Sequence, residues 1–202
     1  MLVLLLFISC MGAASQVSFA SDGSGSILLE YRISAELESL GRLDGNQYQP
    51  PVPAARTDLE RSVARISGID LVSYSSRHDG KDIIHRAELS FSSPEALAAF
   101  FDSSGRQFRI DFPGRKITIS LTETATIDTE FKKFADSILQ EYEFSVSFTV
   151  PGIARTEWVD GDGSIINHFP GVCFVSGATV QYTVPMAEIV FLESPLFLEI
   201  SW

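Results

Sequence analysis

The sequence predicts an α+β fold: a largely antiparallel sheet built from hairpins and covered on one face by two to four helices. Three observations predict it. Apolar alternation with a period of two recurs in short runs. Several of these runs are joined across two-residue turn signals, and single stretches of helical spacing separate the pairs. No fixed-period repeat or internal linker divides the chain, so residues 10–202 read as a single domain of about 190 residues, long enough for a sizeable core.

Gln16 to Ser21 alternates, with Val17 and Phe19 on one face, and then meets the turn signal Asp22-Gly23-Ser24-Gly25. Ser26 to Ser34 resumes with Ile27, Leu29, Tyr31 and Ile33 inward, which makes a hairpin. A short helix is expected over 35–43, followed by a Pro- and Gly-rich loop over 44–55. Leu59, Val63 and Ile66 then fall at helical spacing, and Gly68 ends that element.

Strands over 69–77 and 81–91 flank Asp79-Gly80, a strong hairpin signal. A helix follows, with Ser92 or Ser93 as cap, Pro94 in the first turn and Gly105 as stop. Phe108, Ile110 and Phe112 alternate before Pro113-Gly114, and Ile117, Ile119 and Leu121 after it, giving another hairpin. An amphipathic helix is expected over 127–142, and Phe144 to Val150 alternates cleanly up to Pro151-Gly152. In the last third, Ile153 to Val159 leads into Asp160-Gly161-Asp162-Gly163. Val180, Tyr182 and Val184 mark a strand, Met186 to Leu192 a short helix, and Leu196 to Trp202 a closing strand.

The first ten residues carry an address. Leu2 to Ile8 is an apolar run of seven, far short of the roughly 20 residues that span a bilayer. It fits the apolar core of a secretory signal, with residues 1–9 as leader. Phe7-Ile8-Ser9-Cys10 resembles a bacterial lipobox, in which the cysteine is diacylated on sulfur before the leader is removed. Ser9 and Cys10 match that pattern. Phe7 and Ile8 depart from the usual Leu and small residue, and no Lys or Arg precedes the run, which leaves open a start upstream of Met1. The lipoprotein reading places the chain in a bacterial cell envelope, membrane-anchored through Cys10. The competing reading is plain secretion, with a cut after Ala13-Ala14-Ser15. A cytosolic chain with an apolar N-terminus is the third.

From about Gln16 to the end, the chain resembles the LppM-type domain of small bacterial envelope lipoproteins. The residues that carry the resemblance are Asp22-Gly23-Ser24-Gly25 leading into Leu29-Glu30-Tyr31-Arg32-Ile33, and Val150-Pro151-Gly152 before a Gly-containing turn. Gly177 to Tyr182, followed by Pro185, completes it. The resemblance implies an envelope domain that binds lipids or glycolipids. Some relatives carry a transmembrane segment after the domain. None is read before Trp202, so that second mode of anchoring is not expected to transfer.

Composition narrows the partners. A net charge of −11 argues against nucleic acid, whose phosphates need clustered Lys and Arg, and against electrostatic docking on anionic lipid. Fifteen Phe stand against five Tyr and two Trp. Phe100, Phe101, Phe131 and Phe134 are most simply core, or else line an acyl-chain pocket between helix and sheet.

Acylation of Cys10 would leave Cys173 alone in Val172-Cys173-Phe174-Val175, where a buried inert thiol is expected. No CxxC or CxxxH spacing points to zinc. Asp160-Gly161-Asp162-Gly163 resembles the centre of a calcium loop. However, Trp158 and Phe169 would then occupy its first and twelfth ligand positions, so a turn between strands is the expectation. His85 reads as a core histidine and His78 as solvated, while His168 lies in a loop. With no GxSxG, SxxK or HExxH, no catalytic residues, metal or cofactor are assigned.

Arg106, Arg109, Arg115 and Lys116 form a local basic cluster able to meet a phosphate or carboxylate, or else an exposed strand face. The expectation is thus a non-catalytic, lipid-anchored binding protein with a lipid or glycolipid ligand and no assigned protein partner. Two other classes are kept. A structural subunit of an outer-membrane assembly would use the Leu196-Leu198-Ile200-Trp202 alternation, and a secreted hydrolase or transferase would lack a recognisable motif.

Overall fold

The computed structural model describes residues 11–35, 56–102, 107–121, 142–190, 192 and 194–202. The leader, Cys10, the loop over 44–55, Arg106, Phe131, Phe134 and nearly all of the helices expected over 35–43 and 127–142 lie outside the described residues.

Eleven strands and three short helices are described. In chain order they are β1 (Met11–Phe19), β2 (Gly25–Ser34), α1 (Arg56–Val63), β3 (Ile69–Asp79), β4 (Asp82–Phe91), α2 (Pro94–Phe101), β5 (Phe108–Asp111), β6 (Lys116–Ser120), β7 (Glu143–Thr149), β8 (Arg155–Asp160), β9 (Val172–Ser176), β10 (Thr179–Pro185), α3 (Met186–Val190) and β11 (Leu196–Ser201). Seven strands form one sheet in the order β3-β4-β2-β1-β7-β10-β9, and four form a second in the order β5-β6-β11-β8.

The expected hairpins are present. Asp79 pairs with Asp82 across Gly80-Lys81, and Gly80 adopts a φ of 62° at the first central position, where a Cβ would be strained. One residue of β3, Val72, is bulged out between Leu71 and Ser73 and is exposed. The bulge moves the later residues of β3 to the opposite phase, so Tyr74 faces inward. Helix α2 starts as expected. Ser93 caps it by accepting a hydrogen bond from Ala96 N at 3.2 Å, with Pro94 in the first turn.

Two expectations need correction. Strand β1 begins at Met11 rather than near Gln16. Its inward residues run Ala13, Ser15, Val17 and Phe19, and the first two are too small to show as an apolar alternation in the sequence. The sheet is largely antiparallel, as expected, with one parallel ladder among the described strands. β1 pairs antiparallel with β2 but parallel with β7, from Ala13↔Phe144 to Ser18↔Thr149.

The second correction concerns what covers the large sheet. Its inner face carries Val17, Ile27, Leu29, Tyr31, Leu89, Val146, Phe148, Val180 and Tyr182, all at most 4 % exposed. The four-stranded sheet covers much of this face with Phe108, Ile117, Ile119, Trp158, Leu198 and Ile200. Ring contacts join the layers: Phe108 stacks on Phe148 with centroids 6.1 Å apart, and Trp158 meets Tyr182 edge-on at 4.9 Å. The described helices add Leu59, Val63, Ala96, Leu97, Phe100, Phe101, Met186 and Ile189 to that core. Among the described residues, the covering layer is therefore chiefly strand.

A buried carboxylate ties α2 to β5. Asp102, 4 % exposed, accepts hydrogen bonds through Oδ2 from Gln107 N at 2.5 Å and Phe108 N at 3.4 Å. Removing the acceptor from two backbone donors costs about 1–3 kcal/mol. Asp102→Ala is accordingly expected to lose about 2 kcal/mol in urea denaturation, and Asp102→Asn, which keeps an acceptor oxygen, to lose less. Equal losses would contradict the assignment.

Candidate functional site

The outward face of the small sheet carries the strongest candidate site. Strands alternate their side chains, so the residues buried in the sandwich leave Arg109 and Asp111 of β5, Lys116 and Thr118 of β6, and Phe197 and Glu199 of β11 facing out. Register sets them in rows. Arg109 lies opposite Thr118 and Thr118 opposite Glu199, while Asp111 lies opposite Lys116. Val159 of β8 lies beside Phe197. The turn Asp160–Gly163 forms one wall, and together these residues line a groove of about 550 Å³.

Two stretches that looked unrelated in sequence therefore meet here: the basic cluster, through Arg109 and Lys116, and the acidic turn, through Asp160 and Asp162. Arg115 takes no part. It closes the β5–β6 turn with a φ of 55°, and its carbonyl accepts from Trp202 N at 3.2 Å. Lys116 Nζ lies 2.7 Å from Glu199 Oε1, in a pair exposed enough to add at most about 1 kcal/mol.

The acidic wall is held by its own backbone. Asp160 Oδ1 accepts from Asp162 N at 3.2 Å and Ser164 N at 2.9 Å, and Asp162 Oδ1 accepts from Ser164 N at 3.0 Å. Hydrogen bonds from Ser164 hold the Asp162 carboxyl below its ordinary value, aided by Asp160. This is Asx-turn chemistry, as the failed calcium-loop alignment predicted. Among the described residues, no group of three or more His, Cys, Asp or Glu is placed to hold a metal.

The remaining candidates fall into the framework. His85 is 2 % exposed, its ring stacked on Tyr31 at 4.8 Å and its Nδ1 2.6 Å from the Tyr74 hydroxyl, as expected of a core histidine. His78 and His168 are exposed. Phe100 and Phe101, each 3 % exposed, pack edge-on at 5.5 Å, and Phe101 meets Phe108 at 4.8 Å. These two rings pack into the core. Leu196, Leu198 and Ile200 are buried in the sandwich, on a strand paired on both sides. The alternation that resembled a barrel strand is a closing core strand.

Cys173 lies on β9, the edge strand, and is half-buried, with Sγ 4.0 Å from Thr156 Oγ1. The apolar run around it is not interior, since Val172 and Phe174 are 70 % and 63 % exposed. Burial pushes the Cys173 thiol above its ordinary value, against the lesser pull of Thr156. A raised pKa leaves less thiolate near neutral pH. Iodoacetamide is expected to alkylate Cys173 several-fold more slowly in the native chain than in urea. Equal rates would contradict the assigned environment.

The groove-lining residues Phe197, Glu199, Thr118 and Val159 had no motif to announce them. Their only sequence signal is position, because each occupies the outward phase of a strand whose other phase is core. Among the described residues, no helix is long and apolar enough to cross a membrane. No protein-family model and no curated protein matches this chain. Among solved structures, it is similar to the folded domain of the LppM protein of Mycobacterium tuberculosis, determined by NMR. The TM-score is 0.43 at 9 % identity, covering 96 % of this chain and 90 % of that one. At that level the likeness carries no functional argument.

Proposed function

We propose that this chain is a lipid-anchored lipoprotein of the bacterial cell envelope with a non-catalytic binding role. Cys10 is the site of acylation. The groove on the small sheet is its binding surface, for the headgroup of a lipid or glycolipid. The observation that carries the anchor is the start of β1. Its ladder to β2 begins at Met11↔Ile33, one residue after Cys10. A cut after Ser15 would remove five residues of this strand, among them Ala13 and Ser15, which are buried and paired on both sides. Processing at Cys10 leaves the ladder whole.

Mixed charge and an aromatic floor suit the groove to a polar headgroup. Arg109 and Lys116 can donate to phosphate or carboxylate oxygens, while Asp160, Asp162 and Thr118 can accept from hydroxyls. Several buried acyl chains, at about 0.8 kcal/mol per methylene, make such an anchor effectively permanent.

Detergent phase partitioning of a bacterial expression host tests the anchor. The wild-type chain is expected in the detergent phase and Cys10→Ala outside it. Equal partitioning of the two would sink the reading.

A further inference from the structure

We propose that the anchored domain stands end-on, with the Met11 end of the large sheet against the bilayer and the Phe19 end facing away. This rests on the anchoring proposed above. Register defines both ends. Met11 pairs with Ile33, Ile33 with Ile83, and Ile83 with His78, so one row crosses four strands at the Cys10 end. Phe19, Gly25, Phe91 and Ile69 form the row at the other end. Eight steps of about 3.4 Å along β1 separate the rows by roughly 27 Å.

No spacer lies between the acylated residue and the ladder. Consecutive Cα atoms are about 3.8 Å apart, so the acyl chains on Cys10 hold Met11 within a side chain's reach of the headgroups. Strand β1 is central, paired with β2 from Met11 and with β7 from Ala13, and it cannot swivel as a flexible linker would. The direction of the strand therefore becomes the direction of the domain.

Charge acts the same way. At −11, the domain is not drawn to lie flat on anionic lipid. The bilayer-facing end carries both signs, with Arg32 3.5 Å from Asp79 and 3.7 Å from the buried carboxylate of Asp82.

One consequence concerns the groove. Phe112 of the β5–β6 turn and the terminal Trp202 pack on Phe19, at centroid distances of 5.9 and 6.3 Å. The end of the groove formed by Asp111 and Lys116 therefore stands away from the anchoring bilayer. It meets a ligand presented from solution or from a facing surface.

The test uses the full chain from a lipoprotein-processing host, in a Cys173→Ser background, with acylation verified by intact mass. Single fluorophores are attached at His78→Cys, Ala20→Cys or Phe174→Cys, all exposed positions, with Arg77→Cys as a second site at the near end. The protein is reconstituted in phosphatidylcholine vesicles doped with a headgroup-nitroxide lipid. Quenching several-fold stronger at His78 and Arg77 than at Ala20, with Phe174 between them, is expected. Equal quenching at all sites means a tumbling domain. Strongest quenching at Phe174 means a domain lying on its β9 edge, and strongest at Ala20 an inverted one. Each of these three overturns the proposal while leaving the anchor standing. Absence of acyl mass overturns both.

Discussion

A chain that begins at Gln16 is expected not to fold, whereas one that begins at Met11 folds cooperatively. Strand β1 sits in the middle of the seven-stranded sheet, so losing Met11 to Ser15 opens a slot instead of trimming an edge. On one side the backbone of Leu29 to Ile33 in β2 loses its partners, and on the other that of Phe144 to Val146 in β7 does. Each buried backbone group left unsatisfied costs about 1–3 kcal/mol. Several together exceed the roughly 5–15 kcal/mol by which a domain is stable at all. Circular dichroism during urea titration reads the result. A cooperative transition with an unchanged midpoint in the Gln16 chain would show that these pairings are dispensable. It would also reopen plain secretion with a cut after Ser15.

Trp158→Ala is expected to cost about 3–5 kcal/mol, among the largest losses available to a single substitution in this core. The indole is 4 % exposed and holds three parts of the molecule together. It projects from β8 into the sandwich, stacks on Phe169 at 4.2 Å, and meets Tyr182 of β10 edge-on. The Tyr182 hydroxyl donates to Pro170 O at 2.9 Å, so the segment between β8 and β9 is fastened at two adjacent points. Burial pushes the Tyr182 phenol well above its ordinary value, with the charges of Glu188 and Cys173 adding to this, and the phenol remains a donor across the physiological range. Trp158→Phe keeps a ring against Phe169 and is expected to lose clearly less. A drop below about 1 kcal/mol for the alanine variant would mean that the two sheets are held together elsewhere.

Local features of this fold were legible in the sequence because local chemistry causes them. The hairpin at Gly80, one residue beyond the Asp79-Gly80 centre that the sequence suggests, the Ser93-Pro94 helix start, the Phe144 to Val150 alternation and the Asp160–Gly163 turn are each dictated within a few residues. The parallel pairing of β1 with β7 joins segments more than 120 residues apart, and no local pattern encodes it. The first half of β1 shows no apolar alternation because Ala13 and Ser15, though inward, are small or polar. The alternating strands predict one sheet with helices over it. Period two says that a strand has a buried face but not which layer it joins, and here β5, β6, β8 and β11 form the cover. On edge strand β9 the apolar run predicts a buried Cys173, yet that residue is only half-buried and its neighbours Val172 and Phe174 face out. The groove was half visible. Its two charged stretches are separate in sequence, and only the register of β5, β6, β11 and β8 brings them together.

The proposed anchor at Cys10 is tested most directly by intact mass of the mature chain from a lipoprotein-processing bacterial host, wild type beside Cys10→Ala. A wild-type chain that begins at Cys10 and carries an acyl mass increment is expected, and a Cys10→Ala chain without that increment. A wild-type chain that begins at Gln16 with no acyl mass, and still folds, would contradict it.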